Sequence, residues 1–448
     1  MKQLFIYNIG LLLVDNRRKP FLAGHEMGEA EILHNAWLLI EDGRFKEWGE
    51  GQVPQAPKAP KAPLSPPEGG TIVLRGDGIV PPSGGEGGAL TSFAFDAQGG
   101  AVLPSFCYSH THSVDAGCRE GEFFANIQGL SYAEIARRGG GILNSADRLH
   151  AMSEDELYRQ AMQRVEEIAR KGTGAVEIKS GYGLNTEDEL KMLRVIRRIK
   201  ESSQLRVVST FLGAHAVGRG YSQEQYVDLV VNEMIPEVDR QQLADFIDVF
   251  CDEGFFTPVE TRRILEAGMK YGLRGKIHGQ ELADSGGVEV AVGCGALSVD
   301  HLESMTDRDI AMLKGACAFP LTIPTALPGT SFFLNMPFAP ARKMIDSGLP
   351  LALASDYNPG STPSGDMKFV VSLACIKQRL LPIEAIHAAT LNSACAMALS
   401  HDYGSIARGK VANFFITEPI PSLDYLPYAY TSPVIKHVFL SGEEFLGE

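Results

Sequence analysis

Eight short apolar runs, most of them spaced so that a helix fits between one and the next, dominate the chain from Ala101 to Ser355. They are Ala101 to Tyr108, Ala175 to Lys179, Val207 to Gly213, Phe246 to Cys251, Gly275 to His278, Leu297 to Asp300, Ala316 to Leu321 and Pro350 to Ser355. Apolar strands alternating with helical segments mark a parallel sheet covered by helices. The helices have readable starts. Ser153-Glu-Asp-Glu156 reads as a capping box ahead of Leu157, Ala161, Val165 and Ile168 at helical spacing. Thr186-Glu-Asp-Glu189 reads the same way before Leu190, Leu193, Ile196 and Ile199, and Thr257-Pro-Val-Glu260 adds proline at the first helical position. Eight such strands close most economically into a (β/α)8 TIM barrel, whose active site lies at the C-terminal ends of the strands.

Four of the runs end in residues that can ligate a metal or move a proton. The first leads into His110-Thr111-His112, the fifth into His278-Gly-Gln-Glu281, the sixth into Asp300-His301 and the eighth into Asp356. Alternate residues of a strand face the same side, so His110 and His112 can bind one ion together. His278 adds a third neutral donor and Asp356 a carboxylate, around an ion that keeps an open position for water. His301 is either a fifth ligand or, the favoured reading, a partner that orients the water or the metal-bound carboxylate. Glu281 lies beyond its strand end, where a carboxylate can take a proton from the attacking water and deliver it to a leaving nitrogen.

The flanking segments have a different texture. Leu4 to Val14, Ala36 to Glu41 and Thr71 to Leu74 are strand-like, with turn residues at Glu41-Asp-Gly43. Between Gly51 and Gly88 runs a proline-, glycine- and alanine-rich stretch that reads as an exposed insertion. After Asp402 strand-like runs return, at Val411 to Ile416 and Val434 to Gly442. The expected organisation is a small β-sandwich built from both termini, residues 1–100 (with the insertion at 51–88) and 403–448, around a catalytic barrel over 101–402. The N-terminal apolar run carries one basic residue and no small-residue cleavage site, so it is expected to be a strand and not a secretion signal. A formal net charge of -14 argues against nucleic acid or an anionic membrane as the main partner. Seven cysteines with no Cys-x-x-Cys pair read as reduced residues of a cytoplasmic protein.

The set His110-Thr-His112, Lys276-Ile-His278, Ser298-Val-Asp-His301 and Ala354-Ser-Asp356 resembles the metal-dependent amidohydrolase superfamily. Within it, Cys118-Arg-Glu120, Gln128-Gly-Leu-Ser-Tyr132, Glu177-Ile-Lys-Ser-Gly-Tyr-Gly183, Thr210-Phe-Leu-Gly-Ala-His215 and Asp356-Tyr-Asn-Pro-Gly-Ser361 are similar to the imidazolonepropionase family of histidine degradation. The resemblance implies one zinc or iron ion at His110, His112, His278 and Asp356. It implies substrate contacts at Arg119, Tyr132, Tyr182, His215, Glu281, Asn358, Gly360 and Ser361, and a homodimer. The implied reaction is hydrolysis of the cyclic amide of 4-imidazolone-5-propanoate to N-formimidoyl-L-glutamate. Arg119 suits a carboxylate tail through its planar fork, and His215 is expected to donate to the ring carbonyl as water attacks. Catalysis is thereby expected of Glu281, His301 and His215. Three positions depart from the family pattern: Tyr108 replaces an aspartate, Ser109 a proline, and Gln280 an acidic residue. They bear on the pocket rim and the preferred substrate. The alternatives are an amidohydrolase of another cyclic or linear amide with a carboxylate tail, and a metal-free barrel used as an assembly scaffold.

Overall fold

The computed structural model describes residues 2–51, 91–130, 134, 140–316 and 321–446. The expected strand at Thr71 to Leu74, the insertion and Tyr132 fall outside them. Among the described residues sixteen strands form two sheets. In chain order, β1 is Lys2–Val14, β2 Glu31–Glu41, β3 Arg44–Glu50, β4 Thr91–Asp96 and β5 Ala101–Pro104. The barrel strands are β6 Phe106–Tyr108, β7 Thr173–Lys179, β8 Arg206–Ala214, β9 Phe246–Cys251, β10 Arg274–Gly279, β11 Ser298–His301, β12 Ile323–Ala326 and β13 Ala352–Leu353. At the C-terminus come β14 Phe414–Thr417, β15 Ile435–Leu440 and β16 Glu443–Glu444.

Strands β6 to β13 pair in sequence order, all parallel. The ring is drawn together just past its first and last strands. Thr111 bridges Tyr357 in parallel, and the His112 N–H donates to the Tyr357 carbonyl at 3.0 Å. Helices cover the outside, capped largely as their sequences dictate: Ser153 accepts from Glu156 N, and Thr257 and Glu260 cap each other reciprocally. One start differs. Asn185, not Thr186, caps the helix Thr186–Ser202, which frees Glu189 from any capping duty.

The apolar run from Ala101 to Tyr108 is two strands in two sheets. β5 pairs with β1 and β14, the chain breaks at Ser105, and β6 enters the barrel. Ser105 N donates to Asn413 O, in register with the Pro104–Phe414 pair, and is the last bond on that side before the chain crosses to the barrel. The seventh barrel strand begins at Ile323, after residues 317–320, which lie outside the described set. The second sheet joins the two ends of the chain in the order β16-β15-β14-β5-β1-β2-β3, with β4 also on β1. Strand β1 serves two cores. Leu4, Ile6, Ile9, Leu12 and Val14 pack with Phe414, Ile416 and Phe439 inside the terminal unit, while Leu11 and Leu13 join the core of the barrel. A bulge interrupts the pairing of β1 with β2 between Ile6 and Ile9, with Asn8 at a φ of 55°. Among the described residues no helix is long and apolar enough to cross a membrane.

Candidate active site

The ligand-type residues meet where the barrel strands end. Thr111 turns its hydroxyl to the Glu177 carbonyl at 2.7 Å, so His110 and His112 on either side of it face inward. The Asp356 Oδ1 lies 3.5 Å from His110 Nε2 and 3.4 Å from His112 Nε2, and His278 Nε2 is 3.4 Å from His112 Nε2. His110 Nε2 and Asp356 Oδ1 are buried and have no hydrogen-bond partner among the described residues. Leaving such atoms unpaired costs about 1–3 kcal/mol each, and a cation between them satisfies both at once. Burial holds the His110 and His112 imidazoles far below their usual pKa, with neighbouring positive groups adding to it, so both are neutral and able to ligate. The donor set of imidazoles and one carboxylate oxygen fits a divalent metal.

Behind these donors stands a layer of buried charge. Asp300 Oδ2 sits 2.7 Å from His110 Nδ1 and Asp248 Oδ2 3.0 Å from His278 Nδ1, which directs the Nε2 lone pairs of both rings toward the centre. Lys179 Nζ reaches Asp248 at 2.7 Å, Glu177 at 2.8 Å and Asp300 at 3.8 Å. Lys276 pairs with the other oxygen of Glu177 and donates to the Ser109 carbonyl at 3.1 Å. None of these side chains touches solvent. On the opposite side, Thr330 and Ser361 donate to Asp356 Oδ2 at 3.0 and 2.7 Å, leaving Oδ1 turned to the histidines. Three residues just at or past the strand ends, Gln280, His301 and Asp356, have φ of 55°, 85° and 65°, a left-handed backbone that non-glycine residues hold at a cost.

A cavity of about 330 Å³ opens above this cluster. It is lined by His112, His278, His301 and Asp356 at its floor, and by Arg119, Tyr182, His215, Glu281, Asn358, Gly360 and Ser361. Phe123, Phe250, Phe255 and Phe333 supply apolar walls. Every site residue expected from the sequence lines it except His110, which lies beneath the floor, and Tyr132, which is outside the described residues. The Asn358-Pro-Gly-Ser361 turn is closed by Asn358 Oδ1, which accepts from Gly360 N at 2.8 Å and Ser361 N at 2.9 Å. Arg119 is 7% exposed, and its Nε and Nη1 have no hydrogen-bond partner among the described residues. Glu122 approaches Nε only to 3.7 Å. A Cβ at Gly360 would lie 1.0 Å from Arg119 Nη2, so the absence of a side chain there is what lets the guanidinium lie where it does.

His215 is held by the loop that leaves β7. Its Nδ1 is 3.0 Å from the Gly181 carbonyl, which can only accept, so the proton of the neutral ring is on Nδ1 and Nε2 carries the lone pair. Burial, with His278 next, pulls its pKa down to about 3. The ring therefore offers the cavity an acceptor, and donation to an oxyanion requires a second proton. Glu281 is held by its backbone: Asp252 accepts the N–H groups of Glu281, Leu282 and Ala283 at 2.8, 3.0 and 3.2 Å. Glu281 Oε2 and Glu303 Oε2 lie 3.5 and 3.7 Å from His301 Nδ1. Burial, reinforced by Glu303 and Asp356, raises the Glu281 carboxyl well above the usual range.

Gln280, which departs from the family pattern, points away from the cavity. Its Oε1 accepts from Val288 N at 3.0 Å at the start of the helix Gly287–Cys294, a task a carboxylate oxygen performs equally well. Tyr108 fills the barrel core. The residues given no role from the sequence are Asp252, just past β9, and Lys179, Glu177, Asp248 and Lys276 inside the strands. Their signal was present, since a charged residue inside an apolar barrel strand has to face a partner.

A parallel barrel that gathers histidines and an aspartate at its strand ends defines a metal-dependent hydrolase. The amidohydrolase family model matches residues 101–445, and the chain belongs to that family. Curated relatives narrow it further. The imidazolonepropionase of Christiangramia forsetii is 48% identical over 436 residues, covering 97% of both chains, and that of Flavobacterium psychrophilum is 46% identical over 446 residues, covering 99% of this chain and 100% of the other. That similarity over nearly the whole length makes the chain a member of the imidazolonepropionase family. Solved structures agree on the fold alone. The guanine deaminase of C. acetobutylicum superposes with a TM-score of 0.67 at 14% identity over 99% of this chain and 100% of that one. The guanine deaminase of E. coli gives 0.69 at 12% over 100% and 99%.

Proposed function

We propose that this protein hydrolyses the cyclic amide of 4-imidazolone-5-propanoate to N-formimidoyl-L-glutamate, with one zinc or iron ion per subunit held by His110, His112, His278 and Asp356. The observation that carries the reading is the pairing, within one cavity, of a buried guanidinium with open hydrogen-bonding positions and a cluster of inward lone pairs. One end suits a carboxylate tail and the other a ring carbonyl. A bound ion supplies Lewis acidity, polarising that carbonyl and making water easier to deprotonate. Glu281 takes the proton of the attacking water and returns it to the ring nitrogen as the carbon–nitrogen bond opens. His301, beside Glu281, orients that carboxylate. His215 accepts from a ring N–H through Nε2. Arg119 binds the propanoate with Tyr132 and Tyr182, and Asn358, Gly360 and Ser361 form the wall against which the substrate lies. The protein acts as a cytoplasmic homodimer on this small molecule. Its net charge of -14 supports the view that nucleic acid is no partner.

Turnover of imidazolone propanoate by the purified protein tests the reading directly. Arg119→Met is expected to weaken transition-state binding by roughly 2–5 kcal/mol, as truncation of a buried charge pair does, and to matter little for an imidazolone lacking the tail. Equal losses of kcat/KM on the two compounds would show that Arg119 supports the fold and would detach the proposal from its substrate. Gly360→Ala is expected to mimic Arg119→Met, since the new methyl group occupies the guanidinium's place. Metal content should not change. Wild-type kcat/KM in Gly360→Ala would mean that Arg119 binds substrate from another rotamer.

A further inference from the structure

The helix Thr186–Ser202 carries a carboxylate that its position in the first turn does not explain. Glu189 is fully buried, and its oxygens turn back into the loop that leaves β7. Oε1 accepts the N–H groups of Gly183 at 2.7 Å and Leu184 at 3.0 Å, and Oε2 accepts that of Gly181 at 3.1 Å. Three backbone donors on one carboxyl group fix a short loop firmly. Gly183 packs so closely on the helix that a Cβ there would meet Glu189 N at 2.3 Å. Between the held groups sits Tyr182, which is 2% exposed and lines the cavity.

Gly181 is held at both of its backbone groups, which belong to successive peptides. Its N–H is bound by Glu189, and its carbonyl takes the Nδ1 proton of His215. The His215 ring stacks on His112 at 5.1 Å between centroids and faces Tyr182 at 5.4 Å. We infer that Glu189 is a positioning residue for the active site: through the backbone at Gly181 it sets the tautomer and orientation of His215, and through the same loop it places Tyr182. The inference deepens the proposed function and rests on it for the role of the cavity, while the link from Glu189 to His215 stands on geometry alone.

Glu189→Gln is the decisive variant because it is nearly isosteric. An amide keeps one acceptor oxygen and presents N–H groups at the other position. The orientation that loses fewest bonds keeps the oxygen on Gly183 and Leu184 and turns the NH2 toward the Gly181 N–H. The backbone then has to turn at Gly181, whose φ and ψ join the peptide carrying that N–H to the one carrying the carbonyl on His215 Nδ1, and the hold on the ring is released. The expected result is a fall in kcat/KM of roughly 10–100-fold, the scale of a displacement of about 1 Å at a reacting centre. Metal content should stay at the wild-type level. The ¹⁵N resonances of His215 should lose the Nδ1-protonated pattern. In combination with Tyr182→Phe the two losses should be less than additive, since both act through one loop. The exposed Glu187, two residues earlier in the same helical turn, provides the control: Glu187→Gln removes a charge from the same helix end and should leave all of these measurements unchanged. Unaltered His215 resonances in Glu189→Gln, or losses additive with Tyr182→Phe, overturn the inference. If Glu189→Gln does not fold, Glu189→Asp decides the matter, because it keeps the carboxyl group but shortens its reach to the three N–H groups. It should shift the His215 signals in the same direction, and no shift overturns the inference. Should the wild-type protein fail to turn over imidazolone propanoate, the substrate assignment falls, while the His215 resonances still test the role of Glu189.

Discussion

Asp356→Ala is expected to yield a protein with neither stoichiometric metal nor turnover. Its Oδ1 is the one carboxylate oxygen among the described residues facing both His110 and His112, and two hydroxyl groups hold its other oxygen so that it stays there. Removing it takes away the carboxylate oxygen nearest to His110 and His112 and leaves imidazoles as the donors at that corner. His110→Ala should fail in the same way. A graded effect is expected one layer back. Asp300→Asn or Asp248→Asn keeps the shape but weakens the hold on His110 Nδ1 or His278 Nδ1, and such partners typically account for roughly 10–100-fold in metal affinity. These substitutions also leave Lys179 with fewer anions around it, so thermal stability should drop with metal affinity. Titration against a chelator measures the affinities and metal analysis the content. If Asp356→Ala retained a full complement of metal and normal turnover, the ligand assignment would be wrong. If Asp300→Asn bound metal as tightly as the parent, the buried charge layer would have to be read as a folding device alone.

How far the sequence could lead is seen by comparing His110 with Lys179. His110, His112, His278, Glu281 and Asp356 sit at the ends of apolar runs, and in a parallel barrel all such ends lie on one face, so their convergence follows from the pattern without knowing a single contact. Asp248 and Lys276 lie within their runs, and Lys179 closes a run that leads into no ligand-type residue. Their meaning depends on which strands are neighbours and in what register, as with the pairing of Ile277 to Val249 and to Val299 that aligns β10 between β9 and β11. Glu189 was misread for a related reason. Thr186-x-x-Glu189 has the spacing of a capping box, but Asn185 caps the helix and the glutamate reaches back to a loop that only the fold brings near. The split of the Ala101 to Tyr108 run was equally hidden, because both halves are apolar and Ser105 gives no turn signal. What divides them is the choice of partners, β14 and β1 for one half and β7 for the other.

Glu281→Gln separates proton transfer from everything else in the site. The amide keeps the size of the side chain, and its backbone remains clamped by Asp252, so the loop and the metal donors should be undisturbed. What is lost is a group able to hold and release a proton beside His301. In the parent protein, burial and the nearby carboxylates of Glu303 and Asp356 raise the Glu281 carboxyl well above its ordinary range, which brings its protonated form within reach at the pH where the ring nitrogen has to be protonated. Glutamine offers neither form. The rate of turnover should therefore fall by roughly 10²–10⁴-fold, the usual contribution of a general acid/base, while metal content and the affinity for a non-hydrolysable imidazolone analogue stay near those of the parent. Replacing Glu303 by glutamine provides the comparison. It sits against the same imidazole but does not line the cavity, and should cost far less. Single-turnover rates and metal analysis of the two variants distinguish the cases. Near-normal rates in Glu281→Gln would move the proton to His301, the other titratable group at that corner of the cavity, and a larger loss in Glu303→Gln would place it on the buried carboxylate behind.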